Sequence, residues 1–423
     1  MPLQIAIVGA GPAGLYCAER LVRDMPGHVS IDVLDKLPTP FGLIRAGVAP
    51  DHQGTKAVIR IFDRLMTRPE LAFFGNVSVG DSITLAELRQ IYDTVVIATG
   101  APLDLRLGIP GEDLPGVFGS GAIVGWYNGH PDHAELAPCL ERVRSILIIG
   151  HGNVAIDVAR VFAKSSAEMR RSDLDPGVER AIAAAPIETI WVIGRRDAAE
   201  TRFSPVELAE LGHLDHAQPE VRAADLPTEP AAGTPVLEIL GQFAGIGCAR
   251  KPVAIRFRFG HKILRLLGRD RVAAAFFAAD GEGAEIRYPA DLVVTCIGHT
   301  AAGHCLLRTK NGIVPNEGGI VEDGLYVAGW AKRGPTGTIP TTRGESHAVA
   351  RLILSREREE GRGGRRALEA LLRRRAVDVV DWRHWQLIDG REIARAAGTD
   401  RVRRKFSTTK GMLEAAMPDF EIL

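Results

Sequence analysis

The sequence predicts an α/β fold made of two similar units, the first split between the two ends of the chain and the second inserted into it. Three stretches carry that expectation. Gln4-Ile5-Ala6-Ile7-Val8-Gly9 runs into an Ala/Leu-rich helical pattern. Ser145-Ile146-Leu147-Ile148-Ile149-Gly150 runs into VAIDVARVFAK. A late apolar run, Leu325-Tyr326-Val327-Ala328-Gly329, also ends in glycine. Short unbroken Ile/Val/Leu runs suit parallel strands covered on both faces. Their alternation with helical segments indicates an α/β architecture.

Further buried strands are expected at 30–34, 94–98, 189–193, 292–297 and 325–328. The Pro/Ala/Gly-rich stretch 222–247 reads as a loop-rich insertion, and 253–279 reads as antiparallel strands. The Arg/Glu-rich stretch 355–375 reads as a solvated helical surface with a loop at 361–364. The 423 residues suggest two or three domains. Lys+Arg and Asp+Glu both number 52, so overall charge favours neither nucleic acid nor a membrane surface. No apolar run is long enough to span a bilayer. The five cysteines, at 17, 139, 248, 296 and 305, include no C-x-x-C pair. That argues against a disulfide framework and a thiol relay, and for a reducing compartment. The first motif begins next to Met1 with no room for a leader, so a cytoplasmic location is expected. No metal site is expected.

Both glycine stretches have the chemistry of phosphate cradles. In Gly9-x-Gly11-x-x-Gly14 the first glycine allows the tight turn, the second admits a pyrophosphate, and the third lets helix and strand pack closely. The helix then offers unpaired N–H groups to the phosphates. Asp35, 21 residues past Gly14, ends the next strand and can accept from ribose hydroxyls. Val95-Val96-Ile97-Ala98-Thr99-Gly100, with Thr99 and Gly100 at its end, supports FAD as the first ligand. Gly150-x-Gly152-x-x-Ala155 repeats the loop with the permitted alanine. Gly194-Arg195-Arg196 directly follows the strand TIWVI, where an acid would select NADH. Two guanidinium groups instead favour the 2′-phosphate of NADPH. The fold class is therefore α/β with two Rossmann-like dinucleotide-binding domains.

Longer motifs extend the reading. Pro40-Phe41-Gly42-Leu43-Ile44-Arg45-Ala46-Gly47-Val48-Ala49-Pro50-Asp51-His52, the stretch Gly150 to Arg160, and Gly329 to Ile339 resemble signatures of the adrenodoxin reductase-like ferredoxin–NADP reductases. The tail from Trp385 to Leu413 is similar to that family's C-terminal segment, so the likeness covers nearly the whole chain. The resemblance implies an FAD domain at 1–106 and 326–423 and an NADP domain at 107–325. It implies FAD contacts from Ala13, Asp35, Leu43, Val79, Trp330, Gly337, Thr338 and Ile339. It implies NADPH contacts from His151, Gly152, Asn153, Val154, Arg195, Arg196 and Glu207. His52 and Glu210 match the family's histidine and glutamate near nicotinamide and flavin. In this chain Asp35 replaces the usual Glu, His151 the usual Gln, and Asp197 a frequent Gly.

The implied activity is NADPH-dependent ferredoxin reduction, with a hydride passed from NADPH to FAD and single electrons passed on to ferredoxin. That ferredoxin would supply an oxygenase or a P450. The alternative is an electron-input subunit or diaphorase with another acceptor. The family implies a monomer. A basic docking face for an acidic ferredoxin is sought in Arg250, Lys251, Arg256, Arg258, Lys262, Arg265, Arg269 and Arg271, the densest basic stretch of the central region.

Overall fold

The run from Leu3 to Val8 forms an interior strand of a six-stranded sheet, with Ile5, Ala6 and Ile7 fully buried. The computed structural model describes residues 2–227, 234–246, 251–279, 285–301, 306–355 and 361–417. Val29–Leu34 and Leu71–Phe74 extend the sheet on one side in parallel. Thr94–Ile97 lies on the other side, and Leu325–Val327 pairs parallel with it, Leu325 opposite Val95. One sheet thus joins the two ends of the chain. The edge strand Ile320–Glu322 pairs antiparallel with Leu325–Val327. The expected break at 325/326 therefore falls too late. A hairpin between these two strands places 320–325 in the first sheet.

The central segment builds a second six-stranded sheet. Its spatial order is Val117–Gly119, Leu292–Thr295, Ser145–Ile149, Thr189–Ile193, Val253–Arg258, Ala217–Glu220. Every pairing in it is parallel. Alternate residues of its strands face opposite cores. Ile146, Ile148, Ile190 and Val192 pack towards the helices Ser120–Asn128 and Asn153–Ala163. Leu147, Ile149, Trp191 and Ile193 pack against an antiparallel layer formed by His261–Gly268, Val272–Ala279 and Glu285–Pro289. The two chain crossings between the sheets, Leu103–Asp104 and His299–Thr300, pair antiparallel.

Two sequence expectations change here. Val253–Arg258 is not antiparallel but continues the parallel sheet beside Thr189–Ile193. The six residues VAIRFR carry no record of strand direction; the crossover that precedes them decides. The segment expected as loop contains a helix, Pro235–Gly245, which buries Leu237, Leu240 and Phe243. Its three glycine and alanine positions masked an i, i+3 apolar pattern; residues 228–233 and 247 lie outside the described set. The Arg-rich tail is also less solvated than expected. In and beside the helix Gly364–Arg374, Arg365 pairs with the fully buried Asp32 at 2.6 Å and Arg375 with Glu87 at 2.6 Å.

The helix Trp382–Ala394, in the C-terminal segment, clamps the first unit. Trp385 packs on Phe41, and Glu392 binds Arg45 through two hydrogen bonds, 2.9 and 2.5 Å long. Nearby, Asp173 of the central segment is held between Lys56 at 2.7 Å and Lys405 at 3.0 Å. All three are buried. Such pairs contribute little net stability when intact but are costly to break, because the surviving charge stays in a dry site. Glu392→Ala is therefore expected to lower unfolding free energy by about 3–5 kcal/mol, read by urea denaturation followed by circular dichroism.

Candidate functional site

The first glycine loop is shaped by backbone contact. Gly9 has φ +111°, and a Cβ there would lie 2.4 Å from the Ala98 carbonyl oxygen. A Cβ on Gly14 would lie 2.2 Å from the Gly9 carbonyl oxygen. Strand, loop and the helix Pro12–Asp24 can approach this closely only as glycine. Gly11 is different: a Cβ there would meet nothing nearer than Gly42 Cα, at 4.0 Å. Space is left at the helix N-terminus, where N–H groups point. Asp35 accepts from the Ala10 N–H at 2.8 Å and the Leu37 N–H at 2.9 Å. Burial pushes its carboxyl up, against the pull of those backbone donors. One lone pair on each oxygen remains for a ligand hydroxyl.

The other flavin-side candidates gather along the same sheet edge, at the C-terminal ends of the parallel strands. Thr99 and Gly100 follow Thr94–Ile97. Ala13 touches the late strand's exit: a Cβ on Gly329 would be 2.5 Å from the Ala13 Cβ. Trp330 stacks on His299 with ring centroids 6.1 Å apart. Gly337 has φ +80°, and Thr338 caps the helix that starts at Ile339. Leu43 opens the short helix Leu43–Ala46 and is 48% exposed, while Val79 packs at the rim of the core beneath the sheet. Sequence reasoning did not single out Phe41. It has φ +81°, an uncommon backbone for a side chain of that size. Its N–H donates to the Ala10 carbonyl at 2.8 Å, and its ring is buried against Phe62 and Trp385.

The second loop repeats the pattern. Gly150 has φ +137°, and a Cβ there would be 2.3 Å from the Cys296 carbonyl oxygen. Gly152 is the N-cap of Asn153–Ala163, and a Cβ on it would stand in open space. Ala155, the third position, is fully buried. Asn153 Oδ1 accepts from the Ser204 N–H at 2.7 Å, which ties the loop to the helix Pro205–Glu210; Val154 follows at the helix start. The His151 ring lies between Phe203 and Phe259, with centroids 5.4 and 4.9 Å away. Burial drives its pKa down to about 4. Arg195 is exposed and Arg196 half-buried. Among the described residues neither side chain has a hydrogen-bond or ion-pair partner, whereas the Arg196 carbonyl is anchored by the Gly260 N–H at 3.0 Å.

Between the two loops lies a charged junction. His52, at the N-cap of Gln53–Lys56, meets Glu210 Oε2 at 3.0 Å and Glu207 Oε2 at 3.5 Å through Nε2. Its Nδ1 is 3.8 Å from Asp157. Glu207 and Glu210 share one face of their helix at i, i+3. Behind them Arg160, completely shielded from solvent, binds Asp51 at 2.8 and 3.1 Å and Asp157 at 2.8 Å. Lys164 adds 2.7 Å to Asp51. Burial alone would raise the Asp51 carboxyl, but Arg160 and Lys164 hold it well below the usual range. Burial raises the Glu207 carboxyl, against the pull of His52 and Arg160. A cavity of about 430 Å³ opens beside His52, Arg160 and Glu210. The structure thus brings His52, Glu207 and Glu210 together. Asp51, Asp157, Arg160 and Lys164 were not singled out in the sequence, although the i, i+3 spacing of Asp157 and Arg160 on one helix was a readable signal.

Comparison with known proteins fits this geometry. Residues 3–189 match the pyridine nucleotide-disulphide oxidoreductase family. The human mitochondrial NADPH:adrenodoxin oxidoreductase is 35% identical over 97% of this chain and 91% of its own. A probable ferredoxin/ferredoxin–NADP reductase of Mycobacterium tuberculosis is 35% identical over 98% of this chain and 76% of its own. The solved structure of Mycobacterium tuberculosis FprA in complex with NADPH superposes with a TM-score of 0.93 at 30% identity, covering 99% of this chain and all of that one. The chain belongs to the adrenodoxin reductase-like ferredoxin–NADP reductases. Within that family the disulphide of the broader name has no counterpart here among the described residues: Cys17, Cys139 and Cys296 are all free. Cys248 and Cys305 lie outside the described residues.

His151 generates a pH prediction for this reductase. Its folded pKa, about 4, lies below the ordinary 6.5. Its neutral form therefore contributes stability that is present above pH 6.5 and is lost as pH falls towards 4. His151→Gln should flatten that part of the acid limb in thermal melts recorded between pH 7 and pH 4, roughly the interval the two values span.

Proposed function

We propose that this chain is an NADPH-dependent ferredoxin reductase that carries FAD on the first unit and NADPH on the second. The observation that carries the reading is the pairing of two open glycine cradles with a His52–Glu210 contact of 3.0 Å between them. The residues fit both cofactors. The spaces beside Gly11 and Gly152 suit pyrophosphates at helix N-termini, Asp35 suits a ribose, and Arg195 and Arg196, unpartnered among the described residues, suit a 2′-phosphate. We assign residues 1–106 and 320–423 to the FAD domain and 107–319 to the NADP domain. When bound, the flavin takes two electrons together from NADPH and gives them up singly to a one-electron carrier.

The protein's own groups position and screen. Ala13, Leu43, Val79, Thr99, Gly100, Trp330 and Gly337 to Ile339 line the proposed flavin bed. His151 to Val154 and Glu207 line the nicotinamide-nucleotide side. His52 and Glu210 hold a proton between Nε2 and a carboxylate oxygen at the junction, where closing off water strengthens every charge interaction.

The electron acceptor we propose is a ferredoxin. The free cysteines accord with a cytoplasmic setting, and no described helix is long and apolar enough to cross a membrane. The basic stretch in the central region offers less to a docking partner than its sequence suggests. Arg256 is paired with Glu220 at 2.8 Å, Arg265 with Glu285 at 2.6 Å, and Arg256 and Arg258 both lie over Trp191. Lys251 and Arg271 bind backbone carbonyls. Only Lys262 and Arg269 are exposed without such a contact among the described residues, and Arg250 lies outside them.

The direct test is steady-state reduction of cytochrome c with NADPH or NADH, with and without a [2Fe–2S] ferredoxin. The rate should depend on ferredoxin and favour NADPH. Equal rates without ferredoxin would instead support a diaphorase. The double variant Arg195→Ala/Arg196→Ala should raise the KM for NADPH by about tenfold or more, since a hydrogen bond to a charged group contributes roughly 1.5–3 kcal/mol. The KM for NADH should change little.

A further inference from the structure

We propose that His52, Glu207 and Glu210 form a binding site for one divalent transition cation of the zinc class, and that filling it stops NADPH-driven turnover. The sequence does not assemble this ligand set: Glu207 and Glu210 share one short helix, but His52 lies 158 residues before Glu210. Folding brings their donor atoms within 4.8 Å of one another. His52 Nε2 is 3.0 Å from Glu210 Oε2 and 3.5 Å from Glu207 Oε2. Bonds of about 2.0–2.2 Å from zinc to nitrogen and oxygen require donor separations of roughly 3.3–3.5 Å in a tetrahedral site, so only small side-chain rotations are needed.

Three further features distinguish this group from a chance acidic cluster. The first is an outer carboxylate. Asp157 Oδ1 lies 3.8 Å from His52 Nδ1, the ring nitrogen opposite the proposed metal. That negative charge lies on the side of the ring away from the proposed metal, which would take the place of the proton shared by His52 Nε2 and Glu210. The second is an unsatisfied acceptor: Glu207 Oε2 is buried with no hydrogen-bond donor among the described residues, and meets only the longer contacts of His52 Nε2 at 3.5 Å and Arg160 Nη1 at 3.6 Å. The third is charge. Asp51, Asp157, Glu207 and Glu210 bring four carboxylates to the two cations Arg160 and Lys164 among the described residues.

Arg160 does not fill the site itself. Its guanidinium is engaged by Asp51 and Asp157, and its remaining Nη1 stays 3.6 and 3.5 Å from Glu207 and Glu210, outside good hydrogen-bond range. The roughly 430 Å³ cavity beside His52 and Glu210 gives a cation entry and leaves a coordination position for water. One imidazole and two carboxylates favour zinc over magnesium, which prefers six oxygens in octahedral geometry. Binding rests on the side chains alone. Only the loss of turnover rests on the proposed function, because the cation would occupy the His52 and Glu210 atoms assigned to the flavin–nicotinamide junction.

The test is equilibrium dialysis of the FAD-loaded protein against zinc chloride in excess magnesium, with bound metal quantified. One zinc per chain is expected. His52→Gln and Glu207→Gln should each weaken binding by about 100-fold or more, and Asp157→Asn by about 10–100-fold. His213→Gln, on the same cavity wall but outside the triad, should bind as wild type. Thermal melts confirm that each variant is folded. No stoichiometric zinc, or zinc retained undiminished in folded His52→Gln, would overturn the site. Ferricyanide reduction by wild type with NADPH should fall as zinc binds and return with EDTA; full turnover in zinc-loaded protein would overturn the inhibition. Failure of the zinc-free protein to oxidise NADPH would count against the proposed function instead and leave the binding result standing.

Discussion

Arg160 holds the junction together. Its side chain has no solvent contact, yet it carries a full charge, and burial of such a charge is tolerated only with close partners. Those partners come from different places: Asp51 from the first unit, Asp157 from Arg160's own helix, with Glu207 and Glu210 at longer range from the helix Pro205–Glu210. Because Asp51 precedes His52 directly, fixing one fixes the other. The imidazole meets Glu210 as a consequence of the guanidinium behind it. Arg160 is therefore a positioning residue that joins the two glycine cradles into one site.

The cradles were legible in the sequence because their chemistry is local. Gly9, Gly14 and Gly150 sit where a Cβ would strike a backbone atom, and a strand before and a helix after each loop follow from patterns a few residues long. The split first sheet was also legible, since Leu325-Tyr326-Val327-Ala328-Gly329 reads as a buried parallel strand and pairs with Thr94–Ile97. Strand direction was not legible where composition is the same either way, as Val253–Arg258 demonstrates. Nor was the hairpin at Ile320–Glu322, a three-residue edge strand too short for a periodic signal.

The charged residues were the hardest to read, because a charge in sequence does not reveal its partner. Arg365 reads as part of a solvated run, but it neutralises the buried Asp32. Arg256 and Arg258 read as a docking patch, but they lie over Trp191. Conversely, Arg195 and Arg196 keep no partner among the described residues, the condition expected of side chains reserved for a ligand phosphate. Asp51, Asp157, Arg160 and Lys164 lay inside recognisable motifs, yet their convergence on His52 depends on contacts between distant segments.

The account stands or falls on whether the buried clasp sets the junction's geometry. Rapid mixing of FAD-loaded Arg160→Gln with NADPH under anaerobic conditions, followed by flavin absorbance, measures this directly. The account predicts that FAD is retained while the rate of flavin bleaching falls on the order of 10²-fold, as expected when reacting groups lose about 1 Å of alignment. Bleaching at the wild-type rate would contradict it.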